Sequence, residues 1–146
     1  MKVELDDTVR RRMRERLRKA GRREIGGVLM AEQVAVDHFK IIDFSVDDQT
    51  GSYAHFVRSP ERHKAALDAF FARTSADYER FNYLGEWHSH PSFSVQPSTE
   101  DCASMVSLVH GERDIHFAFL VIVKLQLWTS LQYSITLFVR NVGCSA

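Results

Sequence analysis

Leu5, Val9, Met13 and Leu17 recur every four residues near the start of the chain, which puts an apolar stripe on one face of a helix. Gly21 stands where such a helix is expected to stop. The run EIGGVLMAEQVAVDHFKIIDFSV from Glu24 to Val46 is rich in β-branched residues and breaks near Ala31–Gln33, a pattern that predicts two strands joined by a tight turn. DDQTGS then reads as a loop and SYAHFVR as a short strand. Ser59-Pro60-Glu61 has the form of a helix start: a hydroxyl cap, proline at the first helical position and an acid in the first turn. Ala66, Leu67, Phe70, Phe71 and Thr74 keep one face of that helix inward. Tyr83 to His90 reads as a strand, Ser98 to His110 as a helix, and Ile115–Lys124 with Leu127–Arg140 as a closing hairpin. The order is helix, two strands, strand, helix, strand, helix, two strands. It predicts a mixed β-sheet with flanking helices, in the α/β or α+β class.

A length of 146 residues fits one domain, 1–146, with room for a real core. No apolar run reaches transmembrane length, and MKVELDDTVRRRMRER lacks the apolar stretch of a secretory signal, so a cytoplasmic protein with no membrane partner is expected. Cys102 and Cys144 lie in no C-x-x-C arrangement and are expected to be reduced thiols without a chemical role. The formal net charge is zero, yet between Arg10 and Arg23 nearly every charge is positive, with Glu15 the exception. Such a helix can meet nucleic acid or an acidic partner, although a plain solvated face is the commoner outcome.

Chemistry concentrates in GEWHSHPSFSVQPSTED, from Gly85 to Asp101. Side chains two apart on a strand point the same way, so His88 and His90 present two imidazoles on one side of a strand end. Pro91 turns the chain away, and Ser98 opens a helix on which Asp101 sits three residues later, facing back toward the strand end. Ser98-x-x-Asp101 is also a variant of a capping box, and the two readings are compatible. Two histidines and a carboxylate make three protein ligands. They leave a fourth tetrahedral position for water, the open coordination of a catalytic zinc site, where the pKa of that water falls to about 7.

His-Ser-His, seven residues, serine, two residues and aspartate resembles the JAMM signature of the MPN-domain zinc metallopeptidases. His88, His90, Ser98 and Asp101 fill its fixed positions, a match expected by chance in about one of several thousand chains of this length. Members also carry an upstream glutamate near a glycine pair; in Arg23-Glu24-Ile25-Gly26-Gly27, Glu24 stands there. The resemblance implies a cytidine-deaminase-like sandwich over nearly the whole chain, bound Zn2+, Glu24 as general base and acid, and Ser98 as donor to the oxyanion. Glu86 shares the strand face of His88 and competes for the base role. As a close neighbour of the ligands along one strand, it is expected to lie behind them or in solvent, whereas Glu24 arrives from a separate strand. Ser89 and Trp87 face away and are expected to be structural. Base deaminases carry H-x-E with a later P-C-x-x-C, and no such cysteine pair occurs in the sequence.

The resemblance further implies cleavage after the C-terminal tail of a ubiquitin-like protein, by deconjugation or precursor processing. The expected groove lies between Ser52–Arg58 and the loop Ser92–Gln96, with Gly26 and Gly27 packing beneath Glu24. GEWHSHP and FVRSPERHK resemble bacterial stand-alone members of anti-phage conjugation systems, whose partners would be a ubiquitin-like protein, its conjugates and ubiquitin-transfer-like enzymes of the same operon. The alternatives are a sulfur-carrier-protein peptidase and, from another class, a non-catalytic MPN-like or DNA-associated module. Nucleic acid is not the expected partner.

Overall fold

The computed structural model describes residues 1–47, 60–111, 115–140 and 143–145. The chain runs β1 (Lys2–Leu5), α1 (Asp7–Ala20), β2 (Gly26–Ala35), β3 (His38–Phe44), α2 (Pro60–Arg73), β4 (Phe81–Ser89), α3 (Thr99–Val109), β5 (Phe117–Gln126), β6 (Ser130–Val139) and β7 (Gly143–Ser145). The strands form one seven-stranded sheet in the order β1-β3-β2-β4-β5-β6-β7. β1 with β3 and β4 with β5 are parallel; the other pairs are antiparallel. The expected mixed sheet with flanking helices is what the chain forms.

Strand alternation sorts the core into two faces. Val9, Met13 and Leu17 of α1 pack with Ile25, Leu29, Trp87, Val121 and Val123 on one face. On the other, α3 sets Met105 and Val109 against Leu120 and Ile122, while α2 sets Phe70 against Val28 and Met30. The α2 and α3 clusters are separate, and the end of β4 lies between them.

Several elements differ from the sequence expectation. β1 was not expected; it is only four residues long, and its Leu5 packs in the same cluster as the α1 stripe. Helix α1 therefore starts at Asp7, with Asp6 as cap accepting the Thr8 N–H at 3.2 Å, and ends as expected at Gly21 (φ 63°). The β2–β3 turn is at Val36-Asp37, where Asp37 takes φ 55°, and not at Ala31–Gln33. From Gln33 onward β2 is exposed, so the apolar pattern fades while the strand continues. β6 begins at Ser130 because Leu127 and Trp128 form the turn, and β7 adds an unexpected edge strand. Pro60 opens α2 as expected. The expected strand Ser52–Arg58 lies outside the described residues, as do Ser59 and the side chain of Cys144. Cys102 is not disulfide-bonded, and no described helix is long and apolar enough to cross a membrane.

One irregularity positions the site. The β2–β4 pairing runs Leu29↔Gly85 and then Met30↔Tyr83, so β4 carries one extra residue at Leu84. Gly85 has φ 155°, and a Cβ there would fall 1.9 Å from the Phe119 carbonyl oxygen, so no side chain fits. The bulge inverts the alternation. Leu84 joins the α1 cluster with Trp87, while Tyr83 packs on the α2 side.

Candidate metal centre

Downstream of the bulge, Glu86, His88 and His90 share the face that carries α2 and α3. His88 and His90 are 0% and 3% exposed at the C-terminal end of β4. The chain leaves β4 at Pro91 and is tied down again by Val95, which is buried in the α3 cluster and whose carbonyl accepts the Ser134 hydroxyl at 2.5 Å. Between these anchors the Ser94 carbonyl accepts a hydrogen bond from His90 Nδ1 at 2.7 Å. A carbonyl can only accept, so the proton of the neutral ring is on Nδ1 and Nε2 carries the lone pair. Phe93 lies over the same imidazole with ring centroids 4.2 Å apart. Neither Ser94 nor Phe93 was singled out from the sequence, where a loop carbonyl and an exposed aromatic leave no signal.

Asp101 reaches the histidines from α3. Ser98 is the N-cap: its Oγ accepts the Asp101 N–H at 3.1 Å, and Asp101 Oδ2 accepts the Ser98 N–H at 2.8 Å, a reciprocal capping box. The cap fixes the carboxylate, which is 2% exposed. Its Oδ1 lies 3.4 Å from His88 Nε2 and its Oδ2 3.3 Å from His90 Nε2, while the two Nε2 atoms are 3.0 Å apart. Ligands held 2.0–2.1 Å from one zinc ion at tetrahedral corners stand about 3.3–3.4 Å from one another. The two histidines are met by different oxygens of the carboxylate at close to that separation, one ligand atom from each residue lies within 4.8 Å of the others, and two imidazoles with a carboxylate are donors that fit a divalent ion. Among the described residues this is the one cluster of at least three His, Cys, Asp or Glu groups with ligand atoms within 4.8 Å.

Electrostatics keep the donors in their binding forms. Burial lowers the His88 pKa and outweighs the raising influence of Asp101, so the ring is biased toward neutral. Burial alone would raise the Asp101 carboxyl, but hydrogen bonds from His88 and Ser98 hold it below the ordinary carboxylate value.

Glu24 precedes β2 and is half-buried. Ile25 donates its N–H to Ser89 Oγ at 3.0 Å and accepts the Ser89 N–H at 2.9 Å, which continues the β2–β4 pairing beyond Gly26↔His88. That register sets Glu24 across from His90, on the metal-facing side. Its charge acts on His88, yet it stands outside the three-donor cluster. Ser89, fully buried, is structural as expected. So is Trp87, whose indole N–H donates to the Ser45 carbonyl at 2.8 Å. Gly27 lets β2 close on Ser45, since a Cβ there would lie 2.2 Å from the Ser45 oxygen. Glu86 is not in solvent: it is 5% exposed and level with Val28 and Leu120, one row behind His88.

Sequence reading missed the buried polar side chains beside this row. Ser45 accepts the Val28 N–H at 2.9 Å and shares a 2.7 Å hydrogen bond with His63 Nδ1 of α2. Asp47, 5% exposed, bridges Gly26 on the side away from His88. Of the expected substrate groove, Ser52–Arg58 lies outside the described residues. β4 itself is paired on both sides and offers no free edge.

A mixed sheet between helix layers, with a His-His-Asp group that could hold a metal at an interior strand end, defines an α+β domain with the JAB/MPN arrangement. Residues 6–134 match the family described as prokaryotic homologs of the JAB domain, and the chain belongs to that family. A solution structure of a protein from Desulfitobacterium hafniense is similar at TM-score 0.69 and 19% identity, covering 98% of this chain and 88% of that one. A crystal structure of a JAB1/MPN domain protein from Archaeoglobus fulgidus is similar at TM-score 0.46 and 16% identity, covering 100% and 94%. No curated protein matches the chain. Family and donor set together fit a hydrolase or peptidase of the JAMM type.

Proposed function

We propose that the protein is a zinc-dependent peptidase or isopeptidase that cleaves after the C-terminal tail of a ubiquitin-like protein. The observation that carries this reading is the convergence of His88, His90 and Asp101, with ligand atoms within 4.8 Å of one another, and of Glu24 just ahead of β2, near enough for its charge to act on His88. A bound divalent ion supplies Lewis acidity and an activated water. The side chains do the rest. His88, His90, fixed by Ser94, and Asp101, fixed by the cap, would hold the ion at the end of β4. Glu24 takes a proton from the attacking water and returns it to the leaving amine nitrogen. Ser98, exposed and accepting from Asp101 through Oγ, has its own hydroxyl proton to donate to the carbonyl oxygen as charge builds there.

The test is to incubate zinc-loaded protein with a linear fusion and with a lysine-linked conjugate of a ubiquitin-like protein, reading products by mass spectrometry. Release from either supports the reading and assigns the bond type; no cleavage of either, with zinc bound, refutes it. Processing of only a short sulfur-carrier precursor would favour the sulfur-carrier peptidase instead. The resemblance of GEWHSHP to bacterial stand-alone members supports an anti-phage conjugation setting in the cytoplasm. Adjacent genes for a ubiquitin-like protein and transfer enzymes are the observation that tests it.

A further inference from the structure

On the α1 side of the sheet, a groove of about 320 Å³ opens where α1 ends against the β5–β6 turn and the Pro91–Ser92 step. Leu17, Leu125, Leu127 and Trp128 give it apolar walls, Arg22 and Lys124 give it charge, and no carboxylate lines it among the described residues. The chain as a whole is neutral, so this cationic rim is a local asymmetry.

The turn that presents Leu127 and Trp128 is costly to build. Both residues take left-handed backbone, φ 54° and 64°, where glycine or asparagine is the usual choice. Both are thrust into solvent, 86% and 63% exposed. Folding alone does little to favour either feature, since Leu127 gains hardly any burial there and Trp128 stays mostly exposed. The turn is also held in place: Arg18 donates to the Trp128 carbonyl at 3.1 Å, and Thr129 N–H closes on the Gln126 carbonyl at 3.2 Å. Strain at a fixed, exposed aromatic is the signature of a recognition element. Its location is equally specific, because Lys124 follows Val123, whose carbonyl takes the His90 N–H.

We propose that this groove is a docking site for an acidic protein segment that inserts one aliphatic or aromatic side chain between Trp128, Leu125 and Leu17 while its carboxylates meet Arg22 and Lys124. A protein segment fits better than a nucleic acid strand, which needs aromatic platforms in series along a phosphate track; this groove has one ring and walls of leucine. Assigning the segment to the protein whose tail is cleaved rests on the peptidase reading; the chemistry of the groove does not.

Trp87 is fully buried, so a change in tryptophan emission on binding reports Trp128. Metal-free protein is titrated with a short acetylated peptide carrying a central leucine flanked by glutamates. A saturable blue shift that weakens as salt rises is expected, with none for the same peptide bearing central serine or flanking lysines. By anisotropy of a labelled peptide, Trp128→Asn, Arg22→Glu and Lys124→Glu should each weaken binding about tenfold. Trp128→Asn should melt no lower than the parent, since asparagine tolerates the left-handed backbone. No saturable shift, undiminished binding by Trp128→Asn, or an equal response to a single-stranded oligonucleotide would overturn the proposal. Trp128→Asn should also raise the KM of a folded substrate several-fold more than that of a short tail peptide; equal effects would remove the link to substrate. Absent hydrolysis with peptide binding intact would instead refute the peptidase reading alone.

Discussion

Zinc should stabilise this fold through the His88, His90 and Asp101 cluster, and the size of the effect follows from linkage. A ligand that binds only the native state adds RT ln(1 + [L]/Kd), about 2.7 kcal/mol when free zinc is one hundred times Kd. For a chain of this size each kcal/mol moves the melting temperature by roughly 3 °C, so an upward shift of about 8 °C is expected. The donors lie close together before any ion binds, which lowers Kd and so brings that ratio within reach at modest free zinc. Differential scanning calorimetry of chelator-treated protein against increasing zinc measures it. The variants separate ligand from cap. Asp101→Ala removes both the carboxylate donor and half the capping box, so the metal-free protein should lose about 1 kcal/mol and the zinc shift should vanish. Ser98→Ala should lose a similar amount without metal yet retain the zinc shift. A wild-type melting curve indifferent to zinc would refute the reasoning, as would an undiminished shift in His88→Ala or Asp101→Ala.

Glu24→Gln should keep the zinc shift and abolish turnover; activity that survives it, measured on a linear fusion, would point to another base such as Glu86. Ser98→Ala should lower kcat by about 10²–10³-fold if its hydroxyl serves the developing oxyanion. Acid should weaken the metal-free fold in two stages, followed by circular dichroism. Burial sets the His88 pKa below its unfolded value near 6.5, so the native state binds fewer protons than the unfolded one, and stability falls as pH drops below about 6.5 toward the folded pKa. Asp43 follows at lower pH: burial raises its carboxyl, but Arg12, the Phe44 N–H and Arg73 overcome this and hold it low, so its contribution is complete above about 3.9 and is lost as pH falls through the folded value.

His88, His90 and Asp101 were legible in the sequence because local rules fix their directions: strand parity for the histidines, and for Asp101 a helix start that Ser98 announces. Glu24 is a longer inference, since its place depends on a pairing between strands far apart in sequence. What stayed hidden is what tertiary contact decides. Ser45 and His63 meet only when α2 lies on the sheet. The Ser94 carbonyl has no side-chain signature. Leu127 read as the start of a strand because apolar residues are usually buried, and here the rule fails at a turn that points outward. The apparent break at Ala31–Gln33 marked where β2 becomes exposed, not where it reverses.

The bulge at Leu84–Gly85 makes the chemistry of this protein a matter of counting. Had β4 one residue fewer at that step and kept its upstream pairing, both imidazoles would turn under α1, and the Trp87 indole would occupy the chamber facing Asp101. Length changes in the gene should therefore be unequal in effect. An added codon before the kink only enlarges an irregularity already present, whereas one between Gly85 and His88 turns the histidines toward α1 and away from Asp101, dismantling the candidate ion-holding cluster without touching any of its side chains.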